Sequence, residues 1–366
     1  MVSQSIDNSG IAPRPDGPGG DAPSAVRQVP FAVRIFRSSM LRYIVRRLIW
    51  CVFLLFIISL VSFVIFNVLP TGDPVRSKLG TRFVTPGLLK AVTHAWGLDK
   101  PLYVQYLMYM KNVFLHFNFG YSYVRSESIN SELWNRMPVT ISVALGAFVL
   151  WMLIGVPIGI ISAVKRRSWI DRVSMTGALV AISAPVYWLG LIALYMFAND
   201  IGRWHLFPGM GSYLFMSEGN WTHWMFRPHW FYALFLPWCV LAAAFAAFYA
   251  RMVRGSIIET MNEDYIRTAR AKGLSERRVI FRHGLRAALT PVVTMAGMDI
   301  GGLLGGAVLT ETVFNIPGIG RYAYESILSH DLPAIQATVL LAGFFIIFAN
   351  LIVDILYAFL DPRVRY

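Results

Sequence analysis

Residues 263–291, EDYIRTARAKGLSERRVIFRHGLRAALTP, separate two long apolar runs and are far too polar and basic to enter lipid. Good helix formers extend from Tyr265 to Lys272. Gly273 can take positive φ just past a helix end, and Ser275 stands as an N-cap with Glu276 in the next first turn. The stretch therefore reads as helix, turn, helix, held across the ends of the flanking runs on one side of a membrane. A short helix in that position transmits force if another protein grips it.

Working outward, the apolar runs are each near or above the ~20 residues that cross a hydrocarbon core as a helix. Six are legible: Leu48–Leu69, Val139–Val164, Val173–Ala198, Trp230–Ala250, Leu289–Thr310 and Leu332–Val353. Only Asp299, in the fifth, puts a formal charge inside one of them. The composition agrees: of 366 residues 56% are apolar and 14% charged, and the mean hydropathy of +0.54 is too high for a soluble domain with an ordinary surface.

A net charge of +13 would also fit a nucleic-acid binder, so its distribution decides. With the first residues in the cytoplasm, seven Lys and Arg precede Leu48, four lie in Lys165–Arg172, nine in Arg251–Arg286 and two after Asp361. That side thus carries 22 of the 33, although the other side has more loop residues. The bias follows the positive-inside rule with both termini cytoplasmic, so the basic balance is a topology signal and no nucleic-acid partner is expected. Cys51 and Cys239 fall within apolar runs, so neither suggests a secreted disulfide framework, and no Cys/His spacing resembles a zinc site. The first apolar run begins only near Leu48 and reads as a retained helix, not a signal peptide.

Residues 1–40 form a tail whose first thirty positions, rich in Gly, Pro, Asp and Ser, bury too little apolar surface to order, so disorder is expected. Between the first two runs, Thr85 with Pro86 starts one helix, Gly97 stops it and Pro101 opens another. Pro101–Phe117 is apolar at helical spacing but carries Lys111 and His116, and is expected to lie along the outer face. A second outer loop, Asn199–His229, holds Trp204, His205, Trp221, His223, Trp224 and His229, an aromatic belt at the interface or a docking surface for a partner. The irregular spacing of its histidines argues against a metal site.

The segment Tyr265–Ser275, YIRTARAKGLS, resembles the coupling loop of bacterial ABC-importer permeases, and in particular the dipeptide, oligopeptide and nickel branch. The broader family has Glu-Ala-Ala six residues before the glycine. Here those positions are Arg267, Thr268 and Ala269, and the stretch to Pro291 is longer, as is usual in the peptide branch. Further matches run in order along the chain: Leu69–Pro74 (LPTGDP), Gly97–Leu102 (GLDKPL), Ser183–Trp188 (SAPVYW), Gly305–Phe314 (GGAVLTETVF), Pro317–Gly320 (PGIG) and Asp354–Arg365 (DILYAFLDPRVR).

The resemblance implies an all-α, polytopic type I ABC importer permease of six transmembrane helices in the bacterial inner membrane. Its permease domain would span residues 41–366, with an extracytoplasmic segment at 71–137 and a cytoplasmic coupling loop at 251–290. Arg267, Thr268, Ala269, Lys272, Gly273, Leu274, Ser275 and Glu276 would couple to two cytoplasmic ATPase subunits. Those subunits would bind ATP and Mg, since this chain has no Gly-x-x-x-x-Gly-Lys-Ser/Thr loop and is expected to hold no cofactor. A second homologous permease and an extracytoplasmic substrate-binding protein complete the expected partners.

Asp299, Gly302 and Gly306 are candidate path residues. Asp299 either lines the path or is satisfied at a helix seam. Gly297, Gly301 and Gly305 recur every four residues, which suits close approach of another helix, within this chain or on a partner. Pro157 and Pro185 either kink their helices or are absorbed by packing. The coupling segment does not report substrate, so dipeptides or oligopeptides stand beside nickel chelates, glutathione or other small solutes, and beside a subunit that docks partners without passing solute. No Ser/His/Asp or paired-carboxylate arrangement suggests an enzyme.

Overall fold

In the computed structural model, which describes residues 39–69, 93–94, 99–122, 124–210, 213, 216 and 225–360, the described residues are mostly helical and include one short hairpin. Residues 1–38 of the expected tail, the Thr85–Pro86 helix start, Gly97 and much of the aromatic loop (Trp221, His223 and Trp224) lie outside the described residues, while the tail's last two positions open the first helix.

Helix α1 (Ser39–Phe63) continues through a π turn at Val64–Val68. Helix α2 (Leu102–Met110) is prolonged by a π turn at Lys111–Leu115 and is too short to cross a bilayer. It rests on α1 through Tyr106 and Tyr109, whose rings lie 5.3 and 5.8 Å from that of Phe63, and through Ser59 Oγ, 2.9 Å from the Tyr106 hydroxyl. Strands β1 (Tyr121–Ser122) and β2 (Glu127–Ser128) form an antiparallel hairpin, an addition to the all-α expectation.

Then follow α3 (Ile129–Val164), α4 (Trp169–Ser183), α5 (Val186–Phe197), α6 (Pro228–Thr260), α7 (Asp264–Ala271), α8 (Glu276–Ala288, with a π segment at Val279–Gly284) and α9 (Thr290–Leu304). Helices α10 (Val308–Phe314), α11 (Ile319–Leu328) and α12 (Leu332–Leu360) complete the described chain.

Among the described residues, four unbroken helices are long and apolar enough to cross a membrane: Arg42–Val68, α3, α6 and Leu332–Leu356 of α12. Two bent pairs, α4 with α5 at 99° and α8 with α9 at 45°, bring the number to six if each pair is one span. The third predicted span is thus broken. Pro185 has no N–H to give and disfavours helical geometry before it, and Ala184 is extended at φ −85°, ψ 124°. Pro138, Pro157 and Pro237 sit inside continuous helices, so Pro157 is absorbed where Pro185 is not.

The core is an α3–α6 seam. Gly155 and Gly159 let the α6 backbone approach so closely that a Cβ on either would fall within 2.7 Å of the Ala246 or Ala250 carbonyl oxygen. Trp151 stacks on Phe245 at 4.5 Å, and the Trp238 indole N–H donates to the Ser142 carbonyl at 3.0 Å. The glycine stripe of α9 is filled from within this chain. A Cβ would fall 1.9 Å from Val353 at Gly297, 2.4 Å from Ala349 at Gly301 and 2.8 Å from Ala342 at Gly305, all on α12. The fifth predicted span also ends early, at Leu304, and Gly306 breaks the helix with φ +127°.

Candidate functional site

The polar stretch between α6 and α9 folds as its chemistry suggests. Helix α7 closes in a Schellman motif: the Gly273 N–H donates to the Arg270 carbonyl (2.9 Å) and the Leu274 N–H to the Ala269 carbonyl (3.4 Å). Gly273 sits at φ +74° with open space where a side chain would go, so backbone conformation and not crowding requires glycine. Ile266, Ala269 and Val279 form a small buried core that Leu274 and Met261 cover. Ser275 occupies the N-cap of α8, but its side chain makes no capping bond. The two helices are joined instead by Arg270, whose Nε donates to Glu276 Oε1 at 2.7 Å and Nη2 to Oε2 at 3.4 Å.

Of the eight candidate coupling residues, Ala269 is buried and Leu274 half-buried, while Arg267, Thr268, Lys272, Gly273, Ser275 and Glu276 are exposed. Arg267 pairs with Asp264 at 3.4 Å, and the Thr268 hydroxyl donates to the Asp264 carbonyl. The result is a self-packed, basic knob with a polar face turned outward. Tyr265 and Phe281 add exposed rings to it.

The candidate path residues are elsewhere, beyond α8. Asp299 is half-buried on α9 and accepts the Tyr249 hydroxyl of α6 at 2.6 Å. Gly302, one turn on, faces open space, whereas Gly306 is pressed against Gly320. Coupling and path residues are therefore not brought together.

Family models match both parts of the chain: binding-protein-dependent transport system inner membrane component over residues 155–366, and the N-terminal membrane component of such systems over residues 40–144. The chain belongs to this family of inner-membrane transport permeases. The permease is 39% identical over 327 residues to the glutathione transport system permease protein GsiC of Escherichia coli strain K12, covering 89% of this chain and all of that one. It is 37% identical over 340 residues to the dipeptide transport system permease protein DppB of Alkalihalophilus pseudofirmus, again covering 89% of this chain and all of the relative. It is thus an ABC-importer permease of the branch that holds these proteins.

Two polar clusters of the permease escaped the sequence. Glu311, fully buried, accepts the Thr140 hydroxyl (2.9 Å) and the N–H groups of Ala307 (3.3 Å) and Arg321 (2.9 Å), while the Ile319 N–H donates to Thr140 Oγ1. This cluster explains the glycines of the GGAVLTETVF and PGIG motifs, because a Cβ on Gly318 would fall 2.4 Å from the Glu311 carboxyl carbon. Glu311 stands one residue past the apolar run as read from sequence, so it attracted no notice as a charge near the membrane. Asp171 and Arg254 form the second cluster. Arg254 was counted only as loop charge and Asp171 not at all, and nothing local signals that they meet.

Proposed function

We propose that this permease is one half of the membrane channel of an ATP-driven importer of dipeptides or short oligopeptides, and that α7 to α8 is the handle its ATPase subunits grip. The observation that carries this reading is the Schellman-closed knob at residues 264–279, with its own small buried core and a polar exterior, at the end of the long helix α6. Two separate cytoplasmic ATPases would bind ATP and Mg. Their closure would move this handle and that of a second permease, switching a central cavity between inward and outward exposure. The charge bias supports a cytoplasmic handle and cytoplasmic termini, with a substrate-binding protein docking on the opposite side.

Glutathione is the second reading for the substrate, favoured by similar identity to a glutathione and a dipeptide permease. Reconstitution with a partner permease, ATPases and binding protein tests both. Substrate-dependent ATP hydrolysis with uptake is expected, and hydrolysis indifferent to every peptide and to glutathione would sink the transport reading.

In the path, Asp299 would attract the substrate's ammonium group while Tyr249 fixes its orientation, with Gly302 leaving room beside it and Gly306 shaping the outer end of the segment. Asp299→Asn keeps the shape and the Tyr249 contact but removes the charge. Uptake of free N-terminal peptides should fall more than that of N-blocked ones, and equal uptake of both by mutant and wild type would rule the role out.

A further inference from the structure

Asp171 lies in the first turn of α4, its side chain 6% exposed, where three helices meet. Arg254 of α6 donates to it twice, Nε to Oδ1 at 2.6 Å and Nη2 to Oδ2 at 2.9 Å. The Ser162 hydroxyl, from the last turn of α3, donates to the same Oδ1, and the Arg167 N–H of the intervening turn donates to Oδ2 at 2.9 Å. Ser168 in return caps α4 by accepting the Asp171 N–H at 3.3 Å. A carboxylate offers about four lone-pair sites, so this one is saturated.

Although α4 lies along α6, it buries few side chains there, so the ion pair is its strongest polar tie to that helix. Helix α3 is already held to α6 through Gly155 and Gly159. In α4, by contrast, only Asp171 and Ala178 are buried, while Trp169, Val173, Leu179 and Val180 are exposed. At its other end, α4 meets the 99° break at Pro185. Beyond the break, α5 is packed against α10, with Gly190 facing Val313 and Phe314. The first half of the broken span thus has a joint at one end and a bidentate ion pair at the other. The ion pair lies on the same helix, α6, that ends at Thr260 and leads into α7.

We propose that Asp171 and Arg254 are positioning residues that make α4 follow α6, so that displacement of the α7 handle swings α4 about the Pro185 break. This rests on the reading of α7 to α8 as the handle. An importer with this link should move substrate in proportion to ATP hydrolysed, and one without it should hydrolyse ATP while α4 lags.

The test uses the complete complex in proteoliposomes, with a radiolabelled dipeptide and radiolabelled glutathione as probes. In Asp171→Asn and Arg254→Gln, uptake per ATP hydrolysed should fall by about tenfold, within the ordinary span of coupling factors, with basal hydrolysis and assembly kept. A variant with Cys51→Ala, Cys239→Ala, Asp171→Cys and Arg254→Cys supplies the decisive arm, since those are the only two native cysteines. It should be uncoupled when reduced and recover most of the ratio when a short bifunctional thiol reagent joins the two positions.

Wild-type ratios in both single variants would overturn the proposal. So would uptake, hydrolysis and assembly falling together with no recovery on cross-linking, the pattern of a purely structural pair. Gly273→Val in parallel separates the two ideas: if it transports normally the handle reading has failed, whereas if it is inactive and the Asp171 and Arg254 variants couple normally only the link has failed.

Discussion

The handle at residues 264–279 and the segment at 305–331 lie at opposite ends of the stretch formed by α8 and α9, and each depends on glycine for a different reason. At Gly273 nothing lies within 4 Å of where a Cβ would be, and only φ +74° excludes other residues. At Gly318 and Gly320 the backbone φ presents no such barrier, but a Cβ would strike Glu311 or the Val308 backbone. The proposed handle is thus conformationally specified and exposed, as a part to be gripped would have to be. The second region is a packed buckle around a buried carboxylate, as suits a part that must not yield.

The contrast breaks if the two glycines respond alike to substitution. Gly318→Ala should be the most damaging of the set, costing about 3 kcal/mol from overpacking against unsatisfiable polar neighbours, read as a lowered midpoint of thermal unfolding in detergent. An unchanged midpoint would mean the Glu311 buckle is loose. Gly273→Ala should cost about 1–2 kcal/mol, confined to the handle, because only the left-handed backbone penalty applies. Hydrogen exchange in 264–279 should quicken while the global midpoint barely moves, and a global loss as large as that of Gly318→Ala would erase the distinction. Smallest of all, Arg270→Gln should cost less than about 1 kcal/mol, since the Glu276 pair is exposed and screened. A change that persists undiminished in high salt would show that the pair does more than brace the surface.

Much of this was legible in the sequence because lipid makes simple demands. Long apolar runs locate the helices, and the polar 263–291 stretch can only lie outside them. Gly273 and Ser275 marked the turn between α7 and α8 because helix ends have local chemistry, although the bond that joins the helices is Arg270 to Glu276 and not a Ser275 cap. What was not legible depends on distant partners. Pro138, Pro157, Pro185 and Pro237 all lie within or beside predicted spans, yet of these four only Pro185 stands at a break, so a proline in an apolar run does not by itself announce one. The α9 glycines fitted either an internal or a foreign helix until α12 proved to fill them. Asp171 and Arg254 are 83 positions apart, and Asp299 and Tyr249 are 50 apart, so no local pattern announces either contact.

The central claim, that the loop turned by Gly273 drives transport, is tested most directly by uptake through Gly273→Val in the assembled complex. A β-branched residue at φ +74° must distort the turn between α7 and α8 while leaving the membrane-spanning helices untouched. Uptake is expected to fall to background, with the protein inserted at wild-type levels and the ATPase subunits still able to hydrolyse ATP. Wild-type uptake by a fully inserted Gly273→Val protein would contradict the account.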